Sequence, residues 1–187
     1  NYTDAEAVRR VLTPRPLDAH KGTFGHVLLV AGSRGKTGAA ALAAQAAQRA
    51  GAGLVTVAAP LSATSLIASE APEFMTAAMP ETGQETLSLQ ALEGDRFDKL
   101  VKGKTVLAVG PGLTTEPETV EVVRRLVETY DIPLVLDADG LNAFSLSKAG
   151  AADKLAAKGK ARTRVLTPHP GEMGRLCGIG SAEVQAR

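Results

Sequence analysis

The stretch Val27–Pro60, VLLVAGSRGKTGAAALAAQAAQRAGAGLVTVAAP, decides the fold. It opens on a continuous apolar run, Val27 to Ala31, of the kind shown by a strand buried on both faces of a sheet. Gly32 ends that run, and Gly38 to Ala50 follows as an alanine-rich segment of helical composition. A second run, Leu54 to Ala58, completes the unit just before Pro60. Strand, helix and strand in this order predict a βαβ unit, whose strands are parallel because the helix carries the chain back along the sheet.

The same pattern continues downstream. Thr105 to Val109 runs into Gly110-Pro111-Gly112, Leu134 to Leu136 into Asp137-Ala138-Asp139-Gly140, and Arg164 to Leu166 into Thr167-Pro168-His169-Pro170-Gly171-Glu172. Helices are expected over Gly38 to Ala50, Glu116 to Thr129, Gly140 to Ser147 and Ala149 to Lys158, with a short one opening near Glu172. The Glu116 helix is amphipathic, with Val120, Val123, Leu126 and Val127 on one face and Glu121, Arg124, Arg125 and Glu128 on the other. The fold class is therefore α/β, a mostly parallel central sheet with helices on both faces. Pro60 to Lys104 resists this reading, because Ala71-Pro72-Glu73 and Pro80-Glu81-Thr82-Gly83 break it into short pieces. Gly180-Ser181-Ala182-Glu183 resembles a helix cap and first turn with only Val184 to Arg187 beyond it, so the fold reads as cut within an element.

Composition excludes several classes. The 187 residues suit one domain or a large part of one, with 44% apolar residues and a formal charge of +1 from 21 basic and 20 acidic side chains. Neither disorder nor a basic nucleic-acid arm is indicated. Aromatics are 3% with no Trp, which argues against stacking platforms for single-stranded nucleic acid. The single cysteine, Cys177, can form no internal disulfide and no thiolate zinc cage, so a reducing cytoplasm is the expected compartment. The Ala39–Ala59 run carries Gln45, Gln48 and Arg49 and is no membrane span; Asn1 to Leu12 lacks the apolar core of a signal peptide. A start at Asn1 without Met suggests processing or excision from something longer.

In an open α/β sheet ligands bind beyond the strand carboxyl ends, so the turns above should line one crevice. Gly110-Pro111-Gly112 reads either as an ordinary tight turn or as a place where backbone approaches a ligand closely. Gly32-Ser33-Arg34-Gly35-Lys36-Thr37-Gly38 imitates a phosphate loop. The nucleotide-binding pattern needs four residues between its glycines, whereas Gly32 and Gly35 enclose two, so the spacing fails. Asp137 and Asp139 could hold Mg²⁺ through water or orient a hydroxyl; equally, Asp139 could cap a helix while Asp137 bonds a neighbouring turn. Thr167 to Glu172 sets His169 between two prolines, which suits presentation of a side chain but is also a serviceable strand-to-helix turn. Lys21 is a surface lysine on this reading.

Together these segments resemble one family, the ADP- or ATP-dependent NAD(P)H-hydrate dehydratases of the ribokinase-like superfamily. The matching strings are HKGTFGHVLLVAGSRGKTGAAALAAQAA with RAGAGLVTVAAP, then AVGPGL, PLVLDADGLN and RVLTPHPGE, in the family's order from His20 to about Cys177. The resemblance implies a ribokinase-like fold truncated at its C-terminus, with residues 1–187 forming a partial domain. It implies repair of a hydrated nicotinamide cofactor, (6S)-NAD(P)HX. ADP or ATP, with Mg²⁺, would phosphorylate the ring hydroxyl, and phosphate would then leave as NADH or NADPH re-forms. By position, Ala39, Gly112 and His169 correspond to contacts with the hydrated cofactor. Glu172 and Asp137 correspond to a magnesium and phosphate network.

One departure matters. The family's catalytic aspartate lies in a Gly-Thr-Gly-Asp motif, and no such motif occurs in these residues. No catalytic residue is therefore assigned within the chain, which is expected to be inactive alone. A homotetramer is implied by the resemblance, with no nucleic-acid or membrane partner. A small-molecule kinase of vitamin-precursor type, or a catalytically silent nucleotide-binding module, are the alternatives.

Overall fold

The computed structural model describes residues 4–12, 14–145, 155 and 163–186. Six strands form one sheet: β1 (His26–Val30), β2 (Leu54–Pro60), β3 (Met75–Met79), β4 (Val106–Val109), β5 (Leu134–Leu136) and β6 (Arg164–Leu166). Their order is β3-β2-β1-β4-β5-β6 and every neighbouring pair is parallel. The helices are α1 (Ala5–Val11), α2 (Thr37–Arg49), α3 (Leu61–Ala68), α4 (Arg96–Val101), α5 (Pro117–Thr129), α6 (Asp139–Ser145), α7 (Pro170–Cys177) and α8 (Ser181–Ala186).

Side chains alternate across the strands, so each face of the sheet needs its own cover. Leu28, Val30, Leu107, Val109, Leu134 and Leu136 point to one face and form a single core with α4, α5 and α6. The predicted apolar stripe of α5 lies there, with Val120, Val123, Leu126 and Val127 all buried. Glu116 accepts hydrogen bonds from the Glu118 and Thr119 amides and Pro117 follows it, which fixes the helix start. On the other face Leu29, Val55, Val57 and Ala59 lie beneath α2 and α3. Helix α2 buries only Ala40, Ala41 and Ala44, and these small side chains let it sit close to the strands.

That second face is covered unevenly. Beyond α2, Ala108 and Val135 are half-buried and Val165 is 44% exposed. An open, mostly apolar hollow of about 360 Å³ runs there, between α2 and the β5–β6 edge.

The five predicted strands are all present within a residue or two of the expected bounds. The Pro60–Lys104 segment, which the sequence left unread, supplies β3, α3, α4 and a 3₁₀ turn at Leu89–Leu92. The expected Ala149–Lys158 helix lies outside the described residues except for Leu155, which is buried in the α5 core. No helix among the described residues is long and apolar enough to cross a membrane.

His26 opens β1, at the amino end of the strands, with its Nε2 2.8 Å from the buried Thr56 hydroxyl. Burial, then the nearby Lys104 ammonium, lowers its pKa below the ordinary 6.5. The unfolded chain therefore takes up this proton more readily than the folded one. The stability contributed by neutral His26 is complete above about pH 6.5 and is lost as the pH falls below it. Melting temperature should drop between about pH 7.5 and about pH 5.5, and the drop should shrink in His26→Gln. An equal drop in both proteins would remove His26 as the cause.

Candidate active-site rim at the strand carboxyl ends

The chain leaves β1 for β2 on one side, and β4 then takes up the other side of β1. Such a reversal of strand order leaves a crevice at the carboxyl ends of β1 and β4, because the two following loops run in opposite directions. The loops bordering it are Ala31 to Lys36 and Gly110 to Thr114. Gly32 N donates to Pro111 O at 2.8 Å and the Ser33 hydroxyl donates to Gly112 O at 2.7 Å. Ser33 is thus turned to the neighbouring loop. The N-terminus of α2 has Lys36 as its cap residue and no side-chain cap.

Gly112 has φ +74°, and a Cβ there would stand 2.9 Å from Lys36 O and 3.3 Å from the Ala39 Cβ. Two residues expected at one ligand are therefore neighbours across the crevice. Gly110, with φ +139°, packs its α-carbon against the Asp137 carbonyl. Gly110-Pro111-Gly112 is a tight turn, closed by Leu113 N donating to Gly110 O at 3.2 Å, and the backbone it brings close is the protein's own.

The carboxylates of the β5 turn point to different loops. Asp137 Oδ1 accepts from the Thr167 hydroxyl at 2.8 Å, which ties β5 to the β6 turn two residues before His169. Asp139 Oδ2 accepts from Thr114 N at 2.8 Å and lies 3.8 Å from Lys36 Nζ, while Oδ1 accepts from Asn142 Nδ2 at 3.2 Å. Asp139 is the first residue of α6, but its carboxylate reaches other loops and caps no α6 amide; Asp137, as the same reading anticipated, bonds a neighbouring turn.

His169 is the N-cap of α7. Its Nδ1 accepts from Gly171 N at 3.0 Å, and Glu172 Oε2 accepts from His169 N at 2.9 Å, which makes a capping box. With Nδ1 an acceptor, the ring proton resides on Nε2, 3.3 Å from Glu172 Oε1. The imidazole is 63% exposed and Glu172 is buried. Glu172 thus orients the histidine and closes the helix start, and both its oxygens face His169.

Ala39, Gly112, Asp137 and the His169 turn accordingly lie along one linked rim: Ala39 meets Gly112, Gly110 meets Asp137, and Asp137 meets Thr167. Lys21 lies elsewhere. Its 3₁₀ turn packs against Gly53 at the amino end of β2, so the surface reading stands. Thr114, with φ +76°, and Arg175, which donates from Nε to Asn142 Oδ1 at 3.1 Å, also belong to the rim. Nothing in their sequence context marked either of them. A larger hollow of about 550 Å³ beside Gln45, Arg49 and Glu70 borders the far end of α2 and is remote from these loops.

Magnesium has no ready cage here. Among the described residues no three His, Cys, Asp or Glu side chains gather as metal ligands, and Asp137 and Glu172 are already engaged by Thr167 and His169.

The six-stranded parallel sheet with helices on both faces and its reversal between β1 and β4 is a ribokinase-like α/β fold. A Streptococcus mutans protein superposes with TM-score 0.76 at 30% identity, over 96% of this chain and 59% of that one. The Bacillus subtilis ADP/ATP-dependent NAD(P)H-hydrate dehydratase, co-crystallised with ATP and Mg²⁺, gives TM-score 0.72 at 29% identity, over 100% and 59%. A sequence profile for NAD(P)H-hydrate dehydratase matches residues 27–186, and the chain belongs to that family. The bifunctional NAD(P)H-hydrate repair enzyme of Moorella thermoacetica is 45% identical over 177 residues, and that of Coxiella burnetii 38% over 175. The chain spans 32% and 31% of the length of those two relatives.

Proposed function

We propose that this chain forms the hydrated-nicotinamide side of an ADP- or ATP-dependent NAD(P)H-hydrate dehydratase. The observation that carries the reading is the approach of Gly112 to Ala39 at the reversal point of the sheet. Small residues at both positions let the two loops touch, and the ring is assigned to the rim above that contact, where no larger side chain of either position stands.

Hydroxide is a poor leaving group. Moving a phosphoryl group from the nucleotide to the ring hydroxyl converts it to phosphate, which departs as the ring nitrogen supplies its electron pair. Nucleotide and hydrated cofactor thus give the nucleotide shortened by one phosphate, inorganic phosphate and NAD(P)H. In this scheme Ala39 and Gly112 shape the ring site, and His169 offers an oriented, exposed Nε2–H held by Glu172. Asp137 holds the His169 turn beside them through Thr167. No step is assigned to magnesium, because these residues form no cage for it.

Incubation of the intact gene product with hydrated NADH, ADP or ATP and Mg²⁺ should restore the absorbance band of the reduced nicotinamide. The 187-residue chain alone should not, because it holds no Gly-Thr-Gly-Asp motif. A stable phosphorylated product without NADH would reassign the protein as a small-molecule kinase. Binding of the nucleotides without turnover would make it a silent binding module.

A further inference from the structure

We infer that Asp139 is a positioning residue: its carboxylate latches the Gly110–Thr114 loop in the conformation that brings Gly112 against Ala39. What the rim binds rests on the functional reading above; the latch itself rests on geometry.

The loop carries conformational strain. Thr114 sits at φ +76°, a region that a β-branched residue rarely occupies, and Ala138, immediately before Asp139, sits at φ +49°. Strain of this kind persists only where surrounding contacts over-determine it. The contact at Thr114 is its amide, which donates to Asp139 Oδ2 at 2.8 Å. That carboxylate is 18% exposed, so the bond is partly shielded from water and is charge-assisted.

The same group reaches further. Lys36 Nζ, from the loop after β1, lies 3.8 Å from the same oxygen. Asn142 donates to the other oxygen and accepts from Arg175 on α7, the helix that His169 caps. One carboxylate therefore links the β1 loop, the β4 loop, α6 and α7. Asp137, two residues earlier, serves a different connection through Thr167. Asp139 acts on the ligand through the loop that Gly112 belongs to.

The test uses Asp139→Asn in the intact gene product. This variant keeps the side-chain size, removes the charge and places a donor where one acceptor stood. The KM for hydrated NADH should rise about tenfold, with kcat within about threefold and the KM for the adenine nucleotide unchanged. Adding Thr114→Gly, which adopts the left-handed conformation without strain, should return that KM to within about threefold of the parent. Hydrogen exchange at the Thr114 amide should quicken about 100-fold in Asp139→Asn while the β1 and β4 amides stay protected.

An active parent whose KM does not respond, or a Thr114 amide whose exchange does not respond, overturns the latch. A parent without turnover overturns the functional reading instead, and exchange at Thr114 then decides the latch unaided. Should Asp139→Asn fail to fold, Asn142→Ala weakens the same carboxylate from its other side. It should quicken Thr114 exchange about tenfold, and unchanged exchange there also overturns the latch.

Discussion

Replacing Gly110 by alanine is expected to lower the melting temperature by roughly 10 °C, which corresponds to about 4 kcal/mol in a chain of this size. Two costs combine. The residue sits at φ +139°, where an L side chain is strained, and strain of this kind costs about 1–3 kcal/mol. In addition, the new Cβ would stand 1.7 Å from the Asp137 carbonyl oxygen and 2.8 Å from Gly140 N. Both are backbone atoms with existing duties. Asp137 O accepts from Gly140 N, and Gly110 N donates to Val30 O, so neither strand end can retreat without losing hydrogen bonds. Overpacking that forces backbone shifts typically adds about 1–3 kcal/mol. Thermal and urea unfolding would measure the loss. A cost under about 1 kcal/mol would mean that the β4 and β5 turns are looser than described.

Ala39→Leu should separate function from stability. Ala39 is half-buried in the first turn of α2, and leucine is a good helix former, so the helix itself loses only a few tenths of a kcal/mol. The Ala39 Cβ already lies in contact range of Gly112, so the added carbons have to extend over the rim, where the hydrated ring is assigned. The intact gene product should lose about 100-fold in kcat/KM for hydrated NADH, while its melting temperature moves by less than about 2 °C. Leu42→Ala, at a position 70% exposed on the same helix, is the control and should change neither. Full activity in Ala39→Leu would place the ring elsewhere.

Much of the sheet is legible in the sequence. β1 and β2 are largely buried on both faces and β4 and β5 fully on one, yet all four appear as apolar runs, each ended by glycine, proline or aspartate. β3 escaped notice for a physical reason. It lies at the sheet edge, Met75 is 44% exposed, and Met-Thr-Ala-Ala-Met has neither the β-branched density nor the alternation of a typical strand. α3 and α4 span eight and six residues, too short for their periodicity to accumulate.

The rim was legible in part. The His169 turn is the most unusual segment of the sequence, whereas Gly110-Pro111-Gly112 and the paired aspartates each admit two readings, and the assignment of all three to one ligand rests on the family resemblance. Of the division of labour between Asp137 and Asp139, the sequence offers the bond of Asp137 to a neighbouring turn but the identity of neither partner. The division depends on Thr167 and Thr114, residues distant along the chain that meet these carboxylates only once the strands are registered. The resemblance implies that Glu172 serves a magnesium and phosphate network, while its capping of the histidine three residues earlier, seen only in the fold, turns both carboxylate oxygens to His169.

His26 and Lys104 sit at the opposite pole of the sheet from the crevice, separated from it by the full length of the strands. The pH dependence that His26 brings to stability and the proposed ligand rim thereby lie at different ends of the molecule. An engineer could retune one by editing the floor of the barrel-less sandwich and leave the other, at its roof, untouched.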